Sequence, residues 1–144
     1  WVSNEGADSL NYPNVSRDTD TSRTPVTFEQ VLTWDPQVLL VTGKGMSNMT
    51  ANTVLTNSVE GVDLSTLSSV QSGRVYSTGL GMWNWFTPNP DSPIVANWIG
   101  ASLYPEQFSD VDLVSMTKDY YQKMYNFTLT DEQARTIINP DAAS

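Results

Sequence analysis

The sequence predicts an α/β fold: a small, mostly parallel sheet flanked by helices, followed by a helical C-terminal part. Three observations carry this expectation. Two short strand-like runs, VLLV at 38–41 and RVYST at 74–78, alternate with helical stretches. Helix-opening patterns recur at Thr27, Ser92 and Thr130. From Leu113 onward, apolar residues return every three or four positions, the mark of an amphipathic helix.

The elements follow in order. Residues 1–25 form a polar leading segment, in which Trp1 and Val2 begin a strand and Gly6 ends it. NVSRDTDTSRTP has no periodicity and reads as an exposed loop. TFEQ is a capping box, in which Thr27 and Gln30 satisfy each other's backbone N–H groups. Phe28, Val31 and Leu32 give the helix that follows its apolar face, and Asp35-Pro36 stops it. VLLV reads as a strand buried on both faces, hence part of a parallel sheet. A Thr- and Asn-rich helix is expected within 48–58, then a helical turn from Leu64 to Val70 that Gly73 caps. RVYST is the second strand. Ser92-Pro93 opens a helix with Ser92 as N-cap and Ile94, Trp98 and Ile99 on its buried face; Tyr104-Pro105 ends it. Leu113, Met116, Tyr120, Met124 and Phe127 mark the next helix. A capping box at Thr130–Gln133 starts the last, which runs to Ile138.

Length and charge narrow the function. A chain of 144 residues suits one domain and needs no disulfide or metal to fold. With 16 acids against 7 bases, the net charge of −9 argues against nucleic acid and anionic membranes as partners. No apolar run is long enough to span a bilayer, and no signal-like segment opens the chain. Cys and His are absent, which removes thiolate nucleophiles, Cys/His zinc sites and Ser-His triads. No catalytic residue, resident cofactor or metal site is expected. The acid pairs Asp110/Asp112 and Asp131/Glu132 read as solvated helix starts, since nothing places them in an apolar pocket.

The loops after the strands are more distinctive. TGKGMS lacks phosphate-loop spacing but follows a strand, where α/β sheets bind ligands. Lys44 and Ser47 are therefore candidates by position. The second loop, within GLGMWNWFTPNPDSP, holds Trp83, Trp85 and Phe86 among Gly, Pro and Asn. Large rings in a loop either lid a core or meet a ligand. If the strands are parallel, both loops share one sheet edge. Other aromatics, Trp34, Trp98, Tyr120, Tyr121 and Tyr125, read as core or as a buried helical stripe.

Four stretches, VTFEQVLTWDPQVLLV, VQSGRVYST, ANWIGASLYPEQFSDVDL and KDYYQKMYNFTLTDEQ, lie in one order over about residues 26–138. Together they resemble the C-terminal lobe of periplasmic binding proteins of ABC importers, in the class that takes iron–siderophore complexes, haem or cobalamin. Nothing resembles the N-terminal lobe or its connecting helix, and the front of the lobe looks shortened. The resemblance implies a single lobe over 1–144 that binds a ligand without catalysis. It implies ligand contacts at Lys44, Met46, Ser47, Met82, Trp83, Trp85 and Phe86, with Trp83 or Trp85 packing on the ligand. It implies docking on a permease through an acid, Asp91 first and Glu106 second. It also implies a missing N-terminal lobe and a periplasmic or extracellular lipoprotein in the full-length form. Tyr can ligate Fe(III), but with no His or Cys, stacking on a whole iron chelate or corrin-like face fits better than metal ligation. Two other readings stay open: a secreted carbohydrate-binding module using the Trp83/Trp85 loop, and a small hydrolase acting through Asp110 and Asp112.

Overall fold

A computed structural model describes residues 2–3, 23–42, 49–79, 81, 85 and 89–143. The expected end of the first strand at Gly6, most of the polar loop, and loop residues 43–48, 82–84 and 86–88 lie outside them.

Strands β1 (Val2–Ser3) and β2 (Arg23–Thr24) pair antiparallel, with Val2 opposite Thr24. The last residues of the expected exposed loop thus belong to a ladder, whose pairing no local pattern signals. Helix α1 (Phe28–Trp34) opens on the predicted Thr27/Gln30 box, though Phe28 is exposed rather than on the buried face. Strand β3 (Leu39–Val41) follows, then α2 (Ala51–Leu55), α3 (Ser68–Gln71) and β4 (Val75–Ser77). Helix α2 is short, and its threonines act as caps: Thr50 and Thr53 form a reciprocal box. Helices α4 (Ser92–Leu103), α5 (Leu113–Tyr125) and α6 (Asp131–Ile138) complete the chain, before a final 3-10 turn at Pro140–Ala143.

β3 and β4 pair in parallel, with Leu39 opposite Val75, Leu40 opposite Tyr76 and Val41 opposite Ser77. Side chains alternate across a strand, so this pair serves two cores. Leu39, Val41 and Val75 face a cluster built on Val54, Leu64 and Leu67. Leu40 and Tyr76 face the other, built on Trp85, Ile94, Trp98, Ile99 and Tyr121. Apolar residues therefore cover both faces, as expected. Leu39 and Leu40 stay half-buried, because the sheet is only two strands wide among the described residues.

Three details differ from expectation. Helix α5 ends at Tyr125, because Asn126 takes a left-handed conformation with φ of 51°. Its most buried residues are Thr117 and Tyr121, one position along from the predicted stripe, and Met124 and Phe127 are exposed. Helix α4 begins at Ser92, so Asp91 rather than Ser92 is its N-cap, and no side chain caps it.

Long-range polar contacts tie the elements together. Arg74 donates to the Ser102 and Leu103 carbonyls at 3.3 and 2.7 Å, satisfying the C-terminal end of α4 with a cation. The Phe108 ring lies where a Cβ on Gly100, within α4, would stand. Asp35 does more than precede a proline. Its carboxylate accepts the Ser68 N–H and hydroxyl, both at 2.7 Å, and so caps α3, whose own N-cap Leu67 has no side chain to do it.

This cap yields a pH-dependent prediction. The Ser68 N–H first, then its hydroxyl, hold the Asp35 carboxyl below its ordinary value. A depressed carboxyl stabilises the fold above its unfolded pKa of about 3.9, and this contribution fades as pH falls through the lower folded value. Asp35→Ala is expected to lower the urea midpoint near neutral pH. The gap from wild type should close as pH falls below about 4.

Candidate functional site

Parallel pairing brings the carboxyl ends of β3 and β4 side by side. Just beyond them, the Thr78 N–H donates to the Val41 carbonyl at 2.8 Å and the Thr78 hydroxyl to the Thr42 carbonyl at 3.2 Å. The two candidate loops therefore leave the sheet from one edge. Lys44, Met46, Ser47, Met82, Trp83 and Phe86 lie outside the described residues. Trp85 is described, and it is the root of the second loop's attachment.

Trp85 is buried at 3% exposure. Its ring meets Trp98 edge to face at 5.9 Å, and its indole N–H donates to the Asp91 carboxylate at 3.2 Å. Asp91 is itself fully buried. Its carboxylate also accepts the Tyr121 hydroxyl at 3.1 Å and the Tyr125 hydroxyl at 3.0 Å. Tyr120 donates to the Pro90 carbonyl, next door. A buried carboxylate is tolerated only when donors surround it, and here the loop and α5 supply them together. Burial first, and then the hydrogen bond and charge of Asp91, push the Tyr125 phenol well above its ordinary value.

The two glycines of GLG fit this arrangement. A Cβ on Gly79 would stand 2.5 Å from the Ile137 carbonyl and 2.5 Å from the Trp85 ring. A Cβ on Gly81 would strike the Asp91 carboxylate and come within 2.7 Å of the Tyr121 hydroxyl. The loop passes too close to the core for any larger residue at either point.

Several sequence expectations change here. Asp91 is not a surface acid, because its carboxylate is turned inward to the tyrosines instead of capping α4 or meeting an outside arginine. Trp85 is not a ligand-facing ring, because core packing and Asp91 occupy both its face and its N–H. The tyrosines of α5 are packed as expected, but their hydroxyls also hold the turn at 89–91. Glu106 is exposed, just past the end of α4. Asp112 caps α5 by accepting the Val114 and Ser115 N–H groups at 3.0 Å each, and Asp131 pairs with Lys118 at 2.5 Å. Neither is a buried acid–base group.

A third contact at the edge had no signal in the sequence reading. Asp141, in the last turn, accepts hydrogen bonds from the Ser77 hydroxyl and from the Ala51 N–H. Beside it a groove of about 510 Å³ follows β4 between α2 and α4, lined by Asn52, Val75, Tyr76, Ser77 and Ala101 among others. It reaches the carboxyl end of β4 at Ser77 and Asp141.

No protein-family model matches the chain. The molybdate-binding protein MolA of Haemophilus influenzae is 29% identical over 120 residues, covering 83% of this chain and 30% of its own length. A periplasmic solute-binding protein from Veillonella parvula superposes with a TM-score of 0.82 at 27% identity, over 98% of this chain and 44% of that one. The chain is folded as one lobe of a periplasmic solute-binding protein. A molybdate-bound structure of MolA overlays the lobe with a TM-score of 0.63 at 26% identity, over 87% of this chain and 37% of that one. The lobe therefore spans less than half the length of these relatives. Among its described residues, no helix is long and apolar enough to cross a membrane.

Removing the buried carboxylate of the lobe should be severe. Asp91→Ala is expected to lose at least about 3 kcal/mol of stability by urea denaturation, since hydrogen bonds to a charged group contribute about 1.5–3 kcal/mol each. Gly81→Ala should destabilise through the same contact, by about 1–3 kcal/mol of overpacking. The raised Tyr125 phenol gives a separate readout. A raised phenol stabilises the fold below its unfolded pKa of about 10, and this is lost as pH climbs through the folded value. Ultraviolet titration should show one phenol lagging the others in wild type, with the lag reduced in Asp91→Asn.

Proposed function

We propose that the lobe captures a small-molecule ligand for an ABC importer, as one half of a two-lobed binding protein outside the cytoplasmic membrane, without catalysis. One observation carries the reading: in a lobe of this fold, parallel pairing roots both candidate loops at one sheet edge. Open α/β sheets bind ligands in the crevice beyond the carboxyl ends of their strands. The proposed contacts are Lys44, Met46, Ser47, Met82, Trp83 and Phe86. Trp85 serves as the internal anchor that leaves Trp83 to face the ligand. Glu106, exposed beyond α4, is the proposed meeting point with a permease arginine. A lipid anchor on the full-length protein completes the reading.

Flat or bulky ligands suit this loop best. Trp83 and Phe86 offer stacking area, and Lys44 offers charge to an anionic chelate. That favours an iron chelate, haem or a cobalamin-like molecule. The likeness to MolA supports a second reading, a small oxyanion such as molybdate, which would rest on Lys44 and Ser47 rather than on the rings. A carbohydrate platform is disfavoured, because Trp85, one of its two rings, is buried in the core.

Intrinsic fluorescence titration with a ferric siderophore, haem, cobalamin and molybdate tests the choice. Trp83→Ala should weaken chelate binding about tenfold or more, in line with the loss of one stacked ring, and leave stability within about 0.5 kcal/mol of wild type. Trp85→Ala should do the reverse first, lowering stability by about 3–5 kcal/mol. Equal loss of stability in both variants would contradict the assigned roles.

A further inference from the structure

We propose that Asp141 is a positioning residue for the ligand edge, bolting the roots of both strand-end loops together from the far end of the chain. The link to ligand rests on the function proposed above; the bolt itself rests on geometry alone. Ser77 is the last residue of β4, where the chain leaves for the aromatic loop. Ala51 is the first residue of α2, where the Lys44 loop returns. The Ala51 N–H donates to the Ser77 hydroxyl oxygen at 2.8 Å and to Asp141 Oδ2 at 2.9 Å. The Ser77 hydroxyl in turn donates to the same Asp141 oxygen. One carboxylate oxygen thus joins points 64 and 90 positions away in sequence.

The contact is built rather than incidental. Ser77 is buried at 3% exposure, so its hydroxyl needs a partner inside the protein. The Thr50/Thr53 box of α2 satisfies the Thr50 and Thr53 N–H groups but not that of Ala51. The Ser77–Asp141 pair takes the Ala51 donor. Asp141 is aimed by its own surroundings: its N–H donates to Asn139 Oδ1 at 3.3 Å, and the Asn139 N–H closes α6 on the Arg135 carbonyl at 2.8 Å. A carboxylate suits the position because hydrogen bonds to an ionised acceptor are about twice as strong as neutral ones.

The test is amide hydrogen exchange on the full 144-residue chain, read by NMR for wild type, Asp141→Ala and Asp141→Asn. In Asp141→Ala the Ala51 amide should exchange about tenfold faster, together with faster exchange at 77–79, while Thr117–Tyr121 in α5 keep wild-type rates. Faster exchange confined to 139–144 would overturn the bolt. If Asp141→Ala loses protection throughout, Asp141→Asn decides: a smaller local change at Ala51 supports it, and a wild-type rate there overturns it. Titration with a ferric siderophore and with molybdate then tests the link to ligand. A Kd raised about tenfold in a variant with loosened roots supports positioning, and an unchanged Kd in that variant overturns it. Failure of wild type to bind any of ferric siderophore, haem, cobalamin and molybdate sinks the ligand reading, and the exchange contrast still decides the bolt.

Discussion

The buried carboxylate of Asp91 is the constraint on which the upper half of this lobe depends. A carboxylate out of reach of water must be surrounded by donors, and the donors come from separate parts of the chain. Trp85 brings the aromatic loop, and Tyr121 and Tyr125 bring α5. The arrangement leaves little latitude nearby. Gly81 must lack a side chain because the carboxylate stands in its place, and Gly79 must lack one because the Trp85 ring does. Helix α4 gives up its side-chain cap, since the residue that would supply it is turned inward. A polar interaction here specifies a geometry as much as it stabilises one.

The same principle recurs at the other long-range contacts. Asp35 caps a helix that begins 33 positions later, Arg74 closes the end of α4, and Asp141 joins Ser77 to Ala51. Each places a charged side chain against backbone groups at a helix end that the helix cannot satisfy alone. Short elements, with strands of three residues and a helix of five, are held by such cross-links rather than by local propensity. The narrow sheet divides two apolar clusters, so the register of one strand pair sets both the packing and the edge from which the loops depart.

Much of the fold was legible because its signals are local. The Thr27/Gln30 and Thr130/Gln133 boxes each lie within four residues, and the strand runs stand out by their apolar, β-branched character. What was hidden was contact between distant positions. Asp91 precedes Ser-Pro, where a surface acid is the ordinary reading, and its tyrosine partners lie 30 and 34 positions on. Nothing in the tail NPDAAS distinguishes Asp141 from a solvated acid. A readable clue did exist in GLG beside a tryptophan, because paired glycines next to a large ring signal close approach. That clue signalled a packed ring in this loop without telling Trp83 from Trp85.

The resulting picture is a lobe whose proposed ligand edge is defined from beneath. Asp91 seats the aromatic loop, and the strand pair aligns its root with that of the Lys44 loop. Chemical-shift mapping of the nitrogen-15-labelled chain against a siderophore loaded with diamagnetic Ga(III), which leaves nearby amide signals unbroadened, tests this. Shifts should gather at Thr42, Thr78, Gly79 and Gly81, around the carboxyl edge. Shifts gathered instead at Leu55, Ala101 and Asn139, along the groove beside β4, would contradict it.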